Sequence, residues 1–227
     1  WGGMHGTGLT AIEPLVTRSF LSVPGGQIAR FAEASPELGA IIKPGLAAAG
    51  IFPGTEEYET FFLVWQTVLD SADPINWAAE AAANTPILLH EVINDQVIPN
   101  FVPTSPLAGT EPMIKVMGLE AYSTTQQNPN GLRAAGRFVP PADHSSLLSP
   151  NVGSPAAFFE MQSQAATFIG SFGGAVVVTD PSTRVPVMQV QSASVANLTE
   201  KKGSKSAKQK RSPGLISGRG TVSRLEQ

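Results

Sequence analysis

The stretch Ile87-Leu88-Leu89-His90-Glu91-Val92-Ile93-Asn94-Asp95-Gln96-Val97-Ile98-Pro99-Asn100 reads as a buried strand that runs out into a short loop carrying one carboxylate. Ile87 to Val92 supply a mainly apolar, partly β-branched run of strand length. Asn94-Asp95 breaks it, because both side chains bond their own backbone and favour turns. Pro99 and Pro103 keep the following segment extended. A carboxylate at the end of an apolar strand is where an open α/β sheet places site residues. A turn-stabilising role for Asp95 is the competing reading, and the rest of the chain must decide between the two.

Working outward, the elements alternate as an α/β domain requires. Upstream, Gly2 to Ile12 is expected to form a helix, and Leu15 to Val23 a strand that stops at Pro24-Gly25-Gly26. Downstream, Thr110 is expected to cap a short helix ended by Gly118. Leu132 to Val139 reads as another strand stopped by Pro140-Pro141, and Ala156 to Ile169 as an amphipathic helix. Ala175–Val178 and Val185–Val190, joined by Asp180-Pro181-Ser182-Thr183, have the pattern of a terminal hairpin.

Between the first strand and the opening one, about residues 27–85, the texture is helical with Pro and Gly punctuation. The clearest helix runs from Glu56 to about Leu69, with Thr55 as N-cap and acidic residues in its first turn. Tyr58, Phe61, Phe62, Trp65 and Leu69 recur on one face. Such a stripe is ordinarily core. Its alternative is an acyl-site lining, with Phe61, Phe62 and Trp65 as candidates. A second helix starts at Asp73-Pro74, with Asp73 as cap and Pro74 in the first turn.

Composition narrows the function classes. The chain has 227 residues, 42% hydrophobic and 15% charged, which suits one globular domain plus an appendage. No apolar run approaches the roughly 18–20 residues of a membrane-spanning helix. There is no Cys, so zinc-thiolate sites and a Cys nucleophile are excluded. Residues 200–227 hold eight of the fifteen basic residues against two acidic ones, which leaves residues 1–199 seven basic against sixteen acidic. From about Ser192 the chain is Ser-, Lys- and Gly-rich, and 192–227 reads as a disordered basic tail. That tail admits weak contact with an acidic surface through residues 201–224; nucleic-acid binding is not expected.

Three histidines exist: His5, His90 and His144. His90 lies inside the apolar strand and reads as structural. His5 sits at a Gly-rich helix start. His144 follows a strand end, in Asp143-His144-Ser145-Ser146, which is the best place for a general base. Asp95 followed by His144 supplies two members of a Ser-His-Asp arrangement, in the order Ser, acid, His of α/β-hydrolases. Asp70 and Asp73 compete with Asp95 for the acid role, and Asp95 is preferred for its strand-end position. No Gly-x-Ser-x-Gly occurs, and Gly170-Ser171-Phe172-Gly173 reads as a helix-terminating turn. Trp1-Gly2-Gly3-Met4-His5-Gly6-Thr7 resembles the second half of a nucleophile elbow. The Ser would then immediately precede Trp1, Gly2 would permit close backbone approach, and the N–H of Trp1 would enter the oxyanion hole.

These residues, with Val23-Pro24-Gly25-Gly26, Asp73-Pro74-Ile75-Asn76, Asp95-Gln96-Val97-Ile98-Pro99-Asn100 and His144-Ser145-Ser146-Leu147-Leu148, resemble the extracellular bacterial virulence-factor lipase family (Pla-1/cef type). The resemblance covers roughly residues 1–172 and implies the C-terminal portion, residues 1–191, of an α/β-hydrolase with a helical cap insertion. It implies a secreted or surface-attached parent that hydrolyses carboxylic esters of lipids. The catalytic residues here would be Asp95 and His144, with the nucleophile and the N-terminal half of the domain outside this chain, and with no metal or organic cofactor. This chain alone is then expected to be inactive. The alternative is a non-catalytic hydrolase-like binding scaffold or surface protein.

Overall fold

The computed structural model describes residues 1–187. The opening stretch is strand β2 (Ile87–Val92), and all six of its residues are buried. A strand buried on both faces needs neighbours on both edges and cover on both sides. β1 (Ser19–Ser22) lies parallel along one edge, Ser19 opposite Ile87. β5 (Arg133–Phe138) lies parallel along the other, from Ile87 opposite Arg133 to Val92 opposite Phe138. β3 (Glu120–Ala121) pairs in parallel with β5, so the described residues contain a four-stranded parallel sheet in the order β1-β2-β5-β3.

Helices cover both faces, which makes the fold mixed α/β. On one face α1 (Gly2–Ile12), α5 (Pro74–Asn84) and α6 (Thr110–Val116) bury Ala11, Ala78, Ala81, Met113 and Ile114 against Leu21, Leu89 and Ala135. On the other, α7 (Pro155–Gly170) sets Ala157, Met161 and Phe168 against Val92, Phe138 and Leu88. Alternate residues of β2 thus feed opposite layers, the period of two that a strand imposes. Among the described residues no helix is long and apolar enough to cross a membrane.

The segment between β1 and β2 is a helical insertion, as its sequence texture indicates. It comprises α2 (Ile28–Ala34), α3 (Pro36–Ala48), α4 (Glu56–Leu69) and α5. Three of these starts carry the capping chemistry that the sequence predicts or allows: Ser35 accepts from the Leu38 N–H, Thr55 from that of Tyr58, and Asp73 from that of Ile75. Pro44, which reads as punctuation, lies inside α3.

Several expectations are corrected. The first strand is shorter than Leu15–Val23, because Glu13 accepts from the N–H groups of Leu15 and Val16 and holds that stretch in a turn. The short helix α6 is capped by Gly109 rather than Thr110. Gly109 sits at φ +107°, and a side chain there would meet the Pro99 carbonyl oxygen at 2.4 Å. Among the described residues, Ala175–Val178 does not pair with the segment from Val185 as the hairpin pattern predicts. β6 (Ala175–Val176) pairs antiparallel with β4 (Gln126–Gln127), and Asp180 nucleates a 3₁₀ turn over Pro181–Thr183. The chain then returns to β5, with Val185 N–H donating to Arg137. The physical reason is Arg184. Its guanidinium bonds Gln164 Oε1 at 2.5 Å and stacks over Tyr122 at 4.0 Å, within a buried polar network that the hairpin pattern does not reveal. The last residues of the expected hairpin, and the tail over 192–227, lie outside the described residues. Gly170–Gly173 forms the expected helix-terminating turn, with Phe172 and Gly173 at positive φ.

Asp73 is far more than a cap. It is fully buried, and its carboxylate accepts from the N–H groups of Gln27 (2.9 Å), Ile28 (2.7 Å) and Ile75 (3.1 Å), and from Gln66 Nε2 (2.9 Å). One side chain therefore joins α2, α4 and α5 at the point where the insertion leaves β1. Asp73→Ala strands two long-range backbone donors as well as the cap, and is expected to destabilise the fold by about 3–5 kcal/mol. Denaturant unfolding of the two proteins measures that difference, and an effect below about 1 kcal/mol, the size of a simple cap loss, would contradict it.

Candidate active site

The loop after β2 is built around Asp95. Asn94 takes a left-handed conformation (φ +61°), which ends the strand and turns the chain. The Asp95 carboxylate then closes an Asx turn, with Oδ1 accepting from the N–H groups of Val97 at 2.8 Å and Ile98 at 3.0 Å. Ile98 and Val97 belong to an apolar cluster with Met4 of α1, Phe31 of α2 and Trp65 of α4. Ser35 Oγ and the Glu37 N–H both donate to the Gln96 carbonyl. The insertion and the first helix therefore converge on this loop.

His144 lies in the loop after β5, the next strand in the sheet. Asp143 and Ser146 shape that loop: Ser145 N–H donates to Asp143 Oδ1, and Ser146 Oγ accepts from the Asp143 N–H and donates to Val152. The parallel pairing of β2 with β5 ends at Val92 opposite Phe138, so both loops leave the same edge of the sheet. There His144 Nδ1 stands 2.7 Å from Asp95 Oδ2. The Asp95 side chain is 1% exposed and that of His144 is 20%. A carboxylate only accepts, so Nδ1 carries a proton, and in the neutral imidazole Nε2 then presents the lone pair. Both carboxylate oxygens are thus engaged: one fixes the turn, the other the tautomer and orientation of the imidazole. Among the described residues no hydroxyl hydrogen-bonds to Nε2.

The other candidates divide. Trp1 is the N-cap of α1, its carbonyl accepting from Met4 at 3.1 Å and His5 at 3.0 Å, and its ring is exposed. Close backbone approach, expected at Gly2, belongs to Gly3 among the described residues. A Cβ on Gly3 would sit 2.4 Å from the Ser22 carbonyl oxygen, whereas one on Gly2 meets nothing within 4 Å. Phe62 is corrected from lining to core: it is 0% exposed and packs with Ala29, Leu46 and Tyr58 inside the insertion. Phe61 and Trp65 do line an open groove of about 750 Å³, with Ile51, Val64 and Thr60 and with Glu56 and Glu57 at one end. Asp73 is structural, and exposed Asp70 accepts from the Gln66 side chain through its carboxylate and from Asn76 Nδ2 through its carbonyl. His5 is exposed beside Trp1. His90 is structural, as expected. It is wedged between Phe20 and Phe138 and bonded through Nε2 to Gln164 at 3.0 Å. Burial, then the Arg184 charge, holds it well below the ordinary imidazole value and therefore neutral. Among the described residues no group of three acidic, His or Cys side chains could hold a metal ion.

Sequence reasoning missed the buried charges beneath the Asp95 loop. Glu91 on β2 faces Arg137 on β5, with Nε 3.0 Å from Oε2, and Arg137 grips Glu111 of α6 through Nε at 2.7 Å and Nη2 at 2.8 Å. The Glu91–Arg137 contact lacks hydrogen-bond alignment, leaving Oε2 and Arg137 Nη1 without a partner. A Glu inside an otherwise apolar strand was the available signal. Burial, and then the neighbouring Glu111, push Glu91 well above the ordinary carboxylate range despite Arg137. For Glu111 burial acts upward too, but the Arg137 hydrogen bonds and charge outweigh it and bring it below that range.

The sign follows for stability. A carboxyl held protonated by the fold contributes fully below its unfolded value, near 4.5, and loses that contribution as pH rises through the folded value. Glu111 acts oppositely, weakening the fold only as pH falls. Glu91→Gln is therefore expected to flatten the alkaline decline in stability, which one such group makes as steep as about 1.4 kcal/mol per pH unit. Melting temperatures of both proteins from pH 5 to 9 test this, and parallel curves would refute it. No protein-family model, curated protein or solved structure matches this chain, so the assignment of the pair rests on its own geometry.

Proposed function

We propose that this chain is part of a serine carboxylic ester hydrolase of lipase or esterase type, with an α/β-hydrolase sheet and residues 27–85 as its helical cap. The observation that carries the reading is the 2.7 Å contact of His144 Nδ1 with buried Asp95 Oδ2, made by loops that follow two adjacent parallel strands in the order acid, then His. The Ser would precede Trp1. Its Oγ attacks the ester carbonyl while His144 Nε2 takes the proton, and Asp95 stabilises the resulting imidazolium. The N–H of Trp1 donates to the oxyanion. His144 then returns the proton to the leaving alcohol, and water repeats the sequence to release the acid and free the Ser. Phe61 and Trp65 offer apolar surface to an acyl chain. A secreted or surface-attached parent belongs to the same proposal, as does a weak contact of the basic tail, residues 201–224, with an acidic surface.

The competing proposal is a hydrolase-like binding scaffold that keeps the sheet and the Asp95–His144 contact without turnover. In the protein extended through the segment before Trp1, His144→Ala and Asp95→Asn are each expected to lower nitrophenyl-ester turnover by a factor on the order of 10⁴. A fluorophosphonate probe should label a single Ser. Lipid binding with no labelling, and turnover indifferent to His144, would establish the scaffold instead.

A further inference from the structure

We propose that Asn100 is a positioning residue for the Asp95–His144 pair, its carboxamide closing the loop that aims the carboxylate. The proposal rests on reading that pair as the acid and base of the hydrolase.

Asn100 follows Asp95 by five residues, and its side chain reaches back across the loop. Oδ1 accepts from the Asn94 N–H at 2.8 Å. Nδ2 donates to the Val92 carbonyl at 2.7 Å and to Glu91 Oε1 at 2.8 Å. Three of the four hydrogen bonds a carboxamide can make therefore tie the end of β2 to the residue before the acid. Asn94 is the left-handed residue of the loop, so fixing its N–H fixes the Ile93–Asn94 peptide plane that leads from β2 into the turn. Asp95 does not hold this geometry alone, because its oxygens are committed to Val97, Ile98 and His144.

Asn100 is itself anchored. Its carbonyl accepts from the Glu111 N–H at 2.9 Å, and the Glu111 carboxylate holds Arg137. Glu91 is fully buried, so water does not replace the donor on its Oε1. One amide thus connects the acid loop to the Glu91–Arg137–Glu111 cluster between β2, β5 and α6. Asn100→Ala strands the Val92 carbonyl and Glu91 and leaves the exposed Asn94 N–H to water. Asn100→Asp keeps the acceptor for Asn94 but turns a carboxylate towards Glu91 and Val92.

The test uses the protein extended before Trp1 and compares Asn100→Ala, Asn100→Asp and Asp95→Asn by two readouts. One is the downfield proton NMR signal of His144 Nδ1–H, which reports the hydrogen bond to Asp95 without any turnover. The other is nitrophenyl-ester kinetics. Both Asn100 variants are expected to lose or weaken the signal and to lower kcat by about 10²-fold with KM little changed, the cost of a small misplacement. A wild-type signal and wild-type kcat in a variant whose melting temperature alone has dropped would overturn the proposal. Should Asn100→Ala fail to fold, Asn100→Asp decides, since it keeps the side-chain volume. If Asp95→Asn leaves turnover intact while the Asn100 variants still lose the signal, the hydrolase reading fails and the positioning role stands.

Discussion

The carboxylate of Asp95 is shared between its own turn and His144, and the arrangement of the site depends on that division. A desolvated carboxylate is costly unless its lone pairs are matched by donors. Here two backbone N–H groups take one oxygen and an imidazole takes the other. The loop cannot relax without exposing or orphaning that charge, so the imidazole inherits a fixed tautomer and a fixed direction. The apolar side of the same turn, Val97 and Ile98, is clamped by α1 and the helical insertion. Packing and hydrogen bonding thus set the same geometry from opposite sides.

The sheet supplies the distance. Parallel pairing of β2 with β5 brings the two loops, 49 residues apart in sequence, to one edge. Beneath them the sheet carries two polar systems on opposite sides of β2. Glu91 meets Arg137 and Glu111, while His90 meets Gln164, Tyr122 and Arg184. Removing one member of such a buried system leaves its partners uncompensated, so each specifies an arrangement more than it adds stability. The first system underlies the Asp95 loop. The second holds the returning segment around Arg184 against the sheet.

Much of the fold was legible before any coordinates. The helices α1, α4, α5 and α7 announce themselves by periodicity and by Thr55, Asp73 and Pro74 at their starts, because caps and apolar faces are local properties. Strand β2 announces itself as a mainly apolar run cut by Asn94-Asp95, and β5 as a segment stopped by Pro140-Pro141. β3, β4 and β6 do not, since two-residue strands exist only by virtue of a partner. Phe62 and Phe61 are adjacent on one aromatic face, and no local rule tells which is core and which lines the groove. That division follows from where Tyr58, Ala29 and Leu46 sit around them.

The site divides the same way. Residue type, strand-end position and chain order single out Asp95 and His144 as candidates, with a turn-stabilising role as the rival reading for Asp95. Sequence also placed His90 in the core and Asp73 at a helix start. Only the tertiary structure decided that Asp95 and His144 touch, that Asp73 binds three helices, that close approach falls at Gly3, and that Glu91 keeps company with Arg137. Each of these depends on distances between segments far apart in the chain, which parallel register and helix packing set and which no window of neighbouring residues contains.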